Sequence, residues 1–271
     1  MPTGIRSDVP STIPIAPSRA PPVPWTAADL ALIVAVTAMG VAVAYLRNPE
    51  HKATVLMLPV PFTLAMLAVG RPIDATNVVA IPALFGYTWL VWALRDRCGL
   101  PILAAIAIAA ASYCLVGAAA SRWMPTGPAA FWIAIAATMV AGVALVRKLP
   151  HRSEPHHRTP LPVWIKAPAI AAVICGLLAI KQQLGGFTTM FPMVGVVASY
   201  ESRYSLWTIV RRIAWLLVLM TPMMAAIRLW QDRVGVPWAL VLAWPVMLAG
   251  LLIWHRRFAG RPLGTDAADC P

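Results

Sequence analysis

Apolar residues come in long blocks along this chain. Ala31–Tyr45, Pro101–Ala120, Pro128–Val146, Ala167–Ile180 and Val236–Trp254 each run without a charged side chain. A helix rises 1.5 Å per residue, so about 20 residues cross a hydrocarbon core of roughly 30 Å. The pattern predicts nine membrane spans. They are Ala28–Tyr45, Ala53–Val69, Val78–Leu94, Pro101–Ala120, Pro128–Val146, Val163–Ile180, Phe187–Tyr200, Leu206–Leu229 and Val236–Trp254. The seventh is short, and the eighth contains Arg211 and Arg212. An arginine at the bilayer centre costs about 2.5–3.5 kcal/mol on the insertion scale. Both arginines are therefore expected at the interface, with the eighth span opening near Ile213 and Ser202–Arg212 lying along the surface.

Composition fixes the class. The 271 residues are 60% hydrophobic and 12% charged, against about 25% charged in a soluble domain. So few charges cannot cover a water-facing surface. The expected fold is all-α, a polytopic transmembrane helical bundle. Residues 1–24 differ, with seven prolines and no apolar run. They read as a disordered tail and not as a cleavable signal peptide, which needs an uninterrupted apolar region. Trp25 then marks an interface, and Thr26–Asp29 fits a capping box opening the first helix. Cys98, Cys114, Cys175 and Cys270 have no paired spacing, so free thiols are expected, with no metal, cofactor or disulfide frame.

Lysine and arginine set the orientation. The loop after span five, Arg147–Lys166, is the most basic. Placing it in the cytoplasm puts fifteen of the 22 Lys/Arg inside. A multi-pass cell-membrane protein follows, with its N-terminus outside and its C-terminus cytoplasmic. The net charge of +12 then needs no nucleic acid, because basic flanks meet anionic lipid headgroups at the cytoplasmic face.

One polar turn is written twice. Asp96-Arg97-x-Gly99-x-Pro101 returns as Asp232-Arg233-x-Gly235-x-Pro237, 136 residues later. Pro59 pairs with Pro192, Arg71 with Arg203 and Thr76 with Thr208 at nearly the same offset. The spacing predicts two four-helix units, spans one to four and six to nine, joined by a central span. Five spans separate equivalent positions, so the copies form an inverted repeat, an architecture of many secondary transporters. The organisation is a tail (1–24), a first membrane unit (25–122), a linking span and basic loop (123–162), a second unit (163–255) and a basic C-terminal tail (256–271). Spans two and seven are interrupted at Pro59, Pro61 and Pro192, and a proline frees a carbonyl that can bind solute.

Lys181–Leu206, followed by two more helices, resembles the GlpM-type family of small four-helix membrane proteins. The likeness rests on Gly186, Phe191, Pro192 and Tyr200, and covers about Lys166–Trp254. In the first unit Leu58-Pro59 stands for Phe-Pro and no tyrosine follows. The resemblance implies a four-helix unit and assigns no activity.

All ten acids fall in tails, loops or span ends. That weighs against an intramembrane aspartyl protease, a proton relay or another enzyme. His151-x-x-Glu154-x-His156-His157 has metal-ligating residue types, but its surrounding prolines favour a stiff, solvated linker. The expected function is a permease or transporter for a small neutral or anionic solute or a lipid. The substrate-path candidates are Pro59, Pro61, Thr63, Thr188, Thr189, Pro192 and Ser199. Arg71, Asp74, Glu201 and Arg203 are candidate gate charges. The alternative is a non-transporting scaffold or accessory subunit of an envelope complex, a homo-oligomer or bound to a membrane partner. A polar mid-membrane cavity favours the first, and a dry centre packed with alanine and leucine the second.

Overall fold

A computed structural model describes residues 27–46, 49–150 and 184–256, with isolated positions at 154, 168, 171, 172 and 175. The proline-rich tail, most of the sixth span, His151, His156, His157 and the C-terminal tail lie outside the described residues, as does the Thr26 cap. Every regular element among the described residues is helical. In chain order these are α1 (Ala27–Tyr45), α2 (Pro49–Leu56), α3 (Val60–Val69), α4 (Ala75–Trp92), α5 (Ile102–Trp123) and α6 (Pro128–Lys148). There follow a 3-10 segment (Gly185–Met190), α7 (Met193–Glu201), α8 (Leu206–Val234) and α9 (Val236–Trp254).

Five helices are long and apolar enough to cross a membrane: Ala75–Arg97, Ile102–Trp123, Pro128–Lys148, Leu206–Val234 and Val236–Trp254. The chain is thus a multi-pass membrane protein in its helices. Spans two and seven are not continuous. Span two is α2 and α3 with a break at Met57–Pro59, and span seven is the 3-10 segment and α7 with a break at Phe191–Pro192. The prolines expected to interrupt these spans stand at the breaks.

The expected surface segment before Ile213 is not formed. Instead α8 runs unbroken for 29 residues from Leu206. Its first turn is covered by protein, which removes the reason to lie flat. The Trp92 and Trp207 rings meet at 4.8 Å, and the Trp207 indole donates to the Pro150 carbonyl at 3.0 Å. Glu154 caps the helix. Its carboxylate accepts from the amides of Trp207 (3.1 Å) and Thr208 (2.6 Å). These are orphan donors at the positive end of the helix, where an acid is stabilising. Glu154 is therefore a tether between elements, not part of a solvated linker.

Central to the bundle are α4 and α8, more than half buried, whereas α6 and α9 present most of their length outward. The two core helices run antiparallel. Ile73, just before α4, bonds Gln231 near the end of α8, and Trp92 at the end of α4 meets Trp207 at the start of α8. Small residues allow close approach on the core side. In α6, the small residues Ala134, Thr138 and Gly142 are buried together with Phe131. In α5, Ala105, Ala109 and Gly117 are buried while Ala107 and Ala111 face outward.

Both copies of the polar turn close a helix pair with a glycine in the left-handed region, Gly99 at φ 69° and Gly235 at φ 79°. They differ in detail. The first ends α4 in a wide π turn, Ala93–Arg97, and leaves Pro101 capping α5. In the second, α9 begins directly after Gly235, with Pro237 in its first turn. Because α4 and α8 are antiparallel, the two turns lie at opposite ends of the bundle.

Candidate functional site

The Asp74 end of the bundle holds a cavity of about 440 Å³, lined by Arg71, Asp74, Thr76, Asn77, Ser121, Arg122, Thr126 and Gly186, among others. Each wall is fixed by local chemistry. Gly70 ends α3 at φ 66°, its amide donating to Met66, and this turns the chain into the Arg71 loop. Asp74 caps α4, one oxygen accepting from the Thr76 amide at 2.8 Å, while Asn77 Oδ1 accepts from the Asp74 amide at 2.9 Å. Gln231 clamps the loop from α8: its Oε1 accepts from the Ile73 amide at 2.8 Å.

The floor is a polar knot between α4 and the 3-10 segment. Gly186 donates its amide to Thr76 Oγ1 at 3.1 Å. Asn77 Nδ2 donates to Thr189 Oγ1 at 3.1 Å and to the Gly186 carbonyl at 3.4 Å. From α5, Tyr113 donates to the Phe187 carbonyl at 2.9 Å and Ser121 to the Leu184 carbonyl at 2.7 Å. The segment is thereby held without regular α-helix bonding, its carbonyls satisfied by side chains as a buried irregular backbone requires.

Below the knot lies a second cavity, of about 70 Å³. Both chain breaks line it: Leu58, Pro59 and Pro61 from one, Thr189, Phe191 and Pro192 from the other. The rest of its wall is mostly apolar and methionine-rich, from α1, α4, α7 and α8 and the ends beside the two breaks, with Thr88 the other hydroxyl. Pro59, Pro61 and Pro192 thus line one cavity.

The other path candidates divide. Thr63 is held by donating to the Pro59 carbonyl at 2.8 Å and accepting from the Trp244 indole at 3.1 Å. Thr188 and Ser199 are buried but do not line the cavity. The expectation that proline-freed carbonyls await a solute is corrected. The Val55 carbonyl accepts from Leu58 at 3.1 Å and the Thr188 carbonyl from Phe191 at 3.4 Å. Each broken helix tightens into a shorter turn that uses the carbonyl again. The four gate charges fall at two ends. Arg71 and Asp74 line the large cavity. Glu201 is buried at the end of α7, and Arg203 lies 5.4 and 5.1 Å from the Tyr200 and Tyr204 ring centres.

Sequence reasoning missed Asn77, Gln231 and the cavity role of Arg122. Asp74-x-x-Asn77 is a capping-box pattern that could have marked Asn77. Gln231 stood inside the repeated turn, where the glycine and proline drew the attention. Among the described residues no group of three or more metal-ligating side chains occurs. No protein family, curated protein or solved structure matches the chain.

Proposed function

We propose that this protein is a transporter that moves a small anionic solute across the cell membrane through its α4–α8 core. One observation carries the reading: Arg71 and Arg122 share a cavity of about 440 Å³ whose wall residue Asn77 bonds Thr189 in the wall of the cavity between the two chain breaks. That volume falls within the roughly 300–1,000 Å³ of small-molecule sites. The only acid in its wall among the described residues, Asp74, is engaged in capping α4, which leaves the cavity positive. The Asn77–Thr189–Gly186 knot then acts as a closed constriction between a vestibule and an inner chamber.

In this reading the architecture is a nine-span inverted repeat, supported by the meeting of the two breaks and by the opposite placement of the two polar turns. The lysine and arginine count puts the vestibule outside, the N-terminus outside and the C-terminus in the cytoplasm. The GlpM-type resemblance adds a four-helix unit and no substrate. No enzymatic role is proposed.

Uptake into vesicles reconstituted with the purified protein tests the reading, using a panel of small organic and inorganic anions against neutral solutes. Saturable anion uptake, reduced about tenfold in Arg71→Gln and Arg122→Gln, is expected, since one lost charge-assisted hydrogen bond is worth at least that factor. Equal rates with and without protein for every solute overturn it. A second reading, a non-transporting membrane scaffold, is favoured by the small size and largely apolar wall of the inner cavity. It predicts no flux.

A further inference from the structure

We infer that the Trp254 end of the α8–α9 pair carries a site for the phosphate of an anionic phospholipid, formed by Arg211, Arg212, Trp215 and Trp254. The inference is independent of the transport reading. Its first support is depth. The two helices run antiparallel from the Gly235 turn, α9 for 19 residues and α8 for 29. At 1.5 Å per residue α9 spans about 28 Å, close to one hydrocarbon core, and α8 about 43 Å. Trp215 and Trp254 are nearly equidistant in sequence from the turn, and their ring centroids lie 6.2 Å apart. This pair stands where an aromatic belt stands, at the edge of the apolar layer. Arg211 and Arg212 follow one turn further out, at the level of lipid headgroups.

The second support is a pair of buried donors without acceptors. Arg211 Nε and Trp254 Nε1 are buried and have no hydrogen-bond partner among the described residues, and Trp254 is only 5% exposed. Leaving such a donor unmet costs about 1–3 kcal/mol, so each calls for an acceptor beyond the described residues. Tryptophan and arginine offer only donors here, which selects an anion-bearing oxygen. The Arg212 guanidinium lies 4.3 Å from the Trp254 ring centre and orients that indole. His255 and Arg256 follow at once on the exposed end of α9. A phosphate at headgroup depth meets both requirements. A carboxylate-bearing soluble ligand meets only the second.

The test uses the full-length protein, delipidated in a neutral detergent, with thermal unfolding and native mass spectrometry as readouts. Added phosphatidylglycerol should raise the unfolding temperature more than phosphatidylcholine, and should be retained on the folded protein. Trp254→Phe keeps the ring and removes only Nε1. Trp254→Phe and Arg211→Gln should each weaken phosphatidylglycerol retention roughly tenfold, as loss of one charge-assisted hydrogen bond requires. If Arg211→Gln does not accumulate, Trp254→Phe carries the result. Equal effects of the two lipids on the wild type overturn the site, as does full retention in Trp254→Phe. Stabilisation by inorganic phosphate with none by phosphatidylglycerol overturns the lipid assignment.

Discussion

Single atoms decide the knot at the vestibule floor. A Cβ on Gly186 would stand 2.2 Å from Thr76 Oγ1 and 2.6 Å from the Asn77 amide nitrogen. Neither can move aside, because both belong to the start of α4. Gly186→Ala is therefore expected to cost at least the 1–3 kcal/mol typical of overpacking. Gly70 is the control. Nothing lies within 4 Å of its added Cβ, so Gly70→Ala bears only the cost of φ 66°, on the order of 1 kcal/mol. Thermal unfolding of the two variants side by side checks the order, and a Gly186→Ala protein that melts with the wild type contradicts the knot. Glu154→Ala should cost about 1 kcal/mol as a lost helix cap, readable in the same melts. The sequence showed the prolines because proline acts through its own ring. Gln231 and Glu154 stayed hidden because each acts on a partner far along the chain. Glu154 meets Thr208 across 54 positions and Gln231 meets Ile73 across 158.

At the scale of elements, hydropathy found the five long helices and misjudged the opening of α8. It placed α9 at Val236–Trp254 and opened α8 at Leu206, but then doubted Leu206–Arg212 because of the two arginines. The doubt assumed that a charge in a helix must lie in lipid. Here α8, at about 43 Å, is longer than a hydrocarbon core of roughly 30 Å, so its arginines can lie beyond the apolar layer while the helix continues through them. Spin labels placed singly from Thr208 to Leu219 should show one unbroken period of 3.6 residues in oxygen accessibility. A change of phase at Arg212 or Ile213 would restore the surface segment. The same logic explains spans two and seven. Their apolar length is near that of a crossing helix, but proline removes the bond that would join the halves, and a pattern of hydropathy carries no record of that loss.

For the whole molecule the question is whether the two cavities communicate. Asn77 stands in the wall of the larger and Thr189 in that of the smaller. The Asn77–Thr189 bond of 3.1 Å closes the space between them. In a transporter this closure is one state of a gate, and weakening it should open the path from one side. The test begins from a variant whose four native cysteines are replaced by serine or alanine, carrying Thr88→Cys in the inner cavity or Thr126→Cys in the vestibule. A membrane-impermeant thiol reagent applied from the vestibule side should label Thr126→Cys readily and Thr88→Cys slowly. Adding Asn77→Ala removes the donor to Thr189, so labelling of Thr88→Cys should accelerate from that side. The label from the opposite side should gain nothing, because Asn77 borders only the vestibule. Ser121 lies at the vestibule end and Pro150 at the Trp207 end. Cysteines there should react from opposite sides of the membrane and fix the sidedness of the assay. If Asn77→Ala leaves Thr88→Cys as protected as before, the knot is a structural closure, the inner cavity is a packing void between two broken helices, and the scaffold reading takes its place.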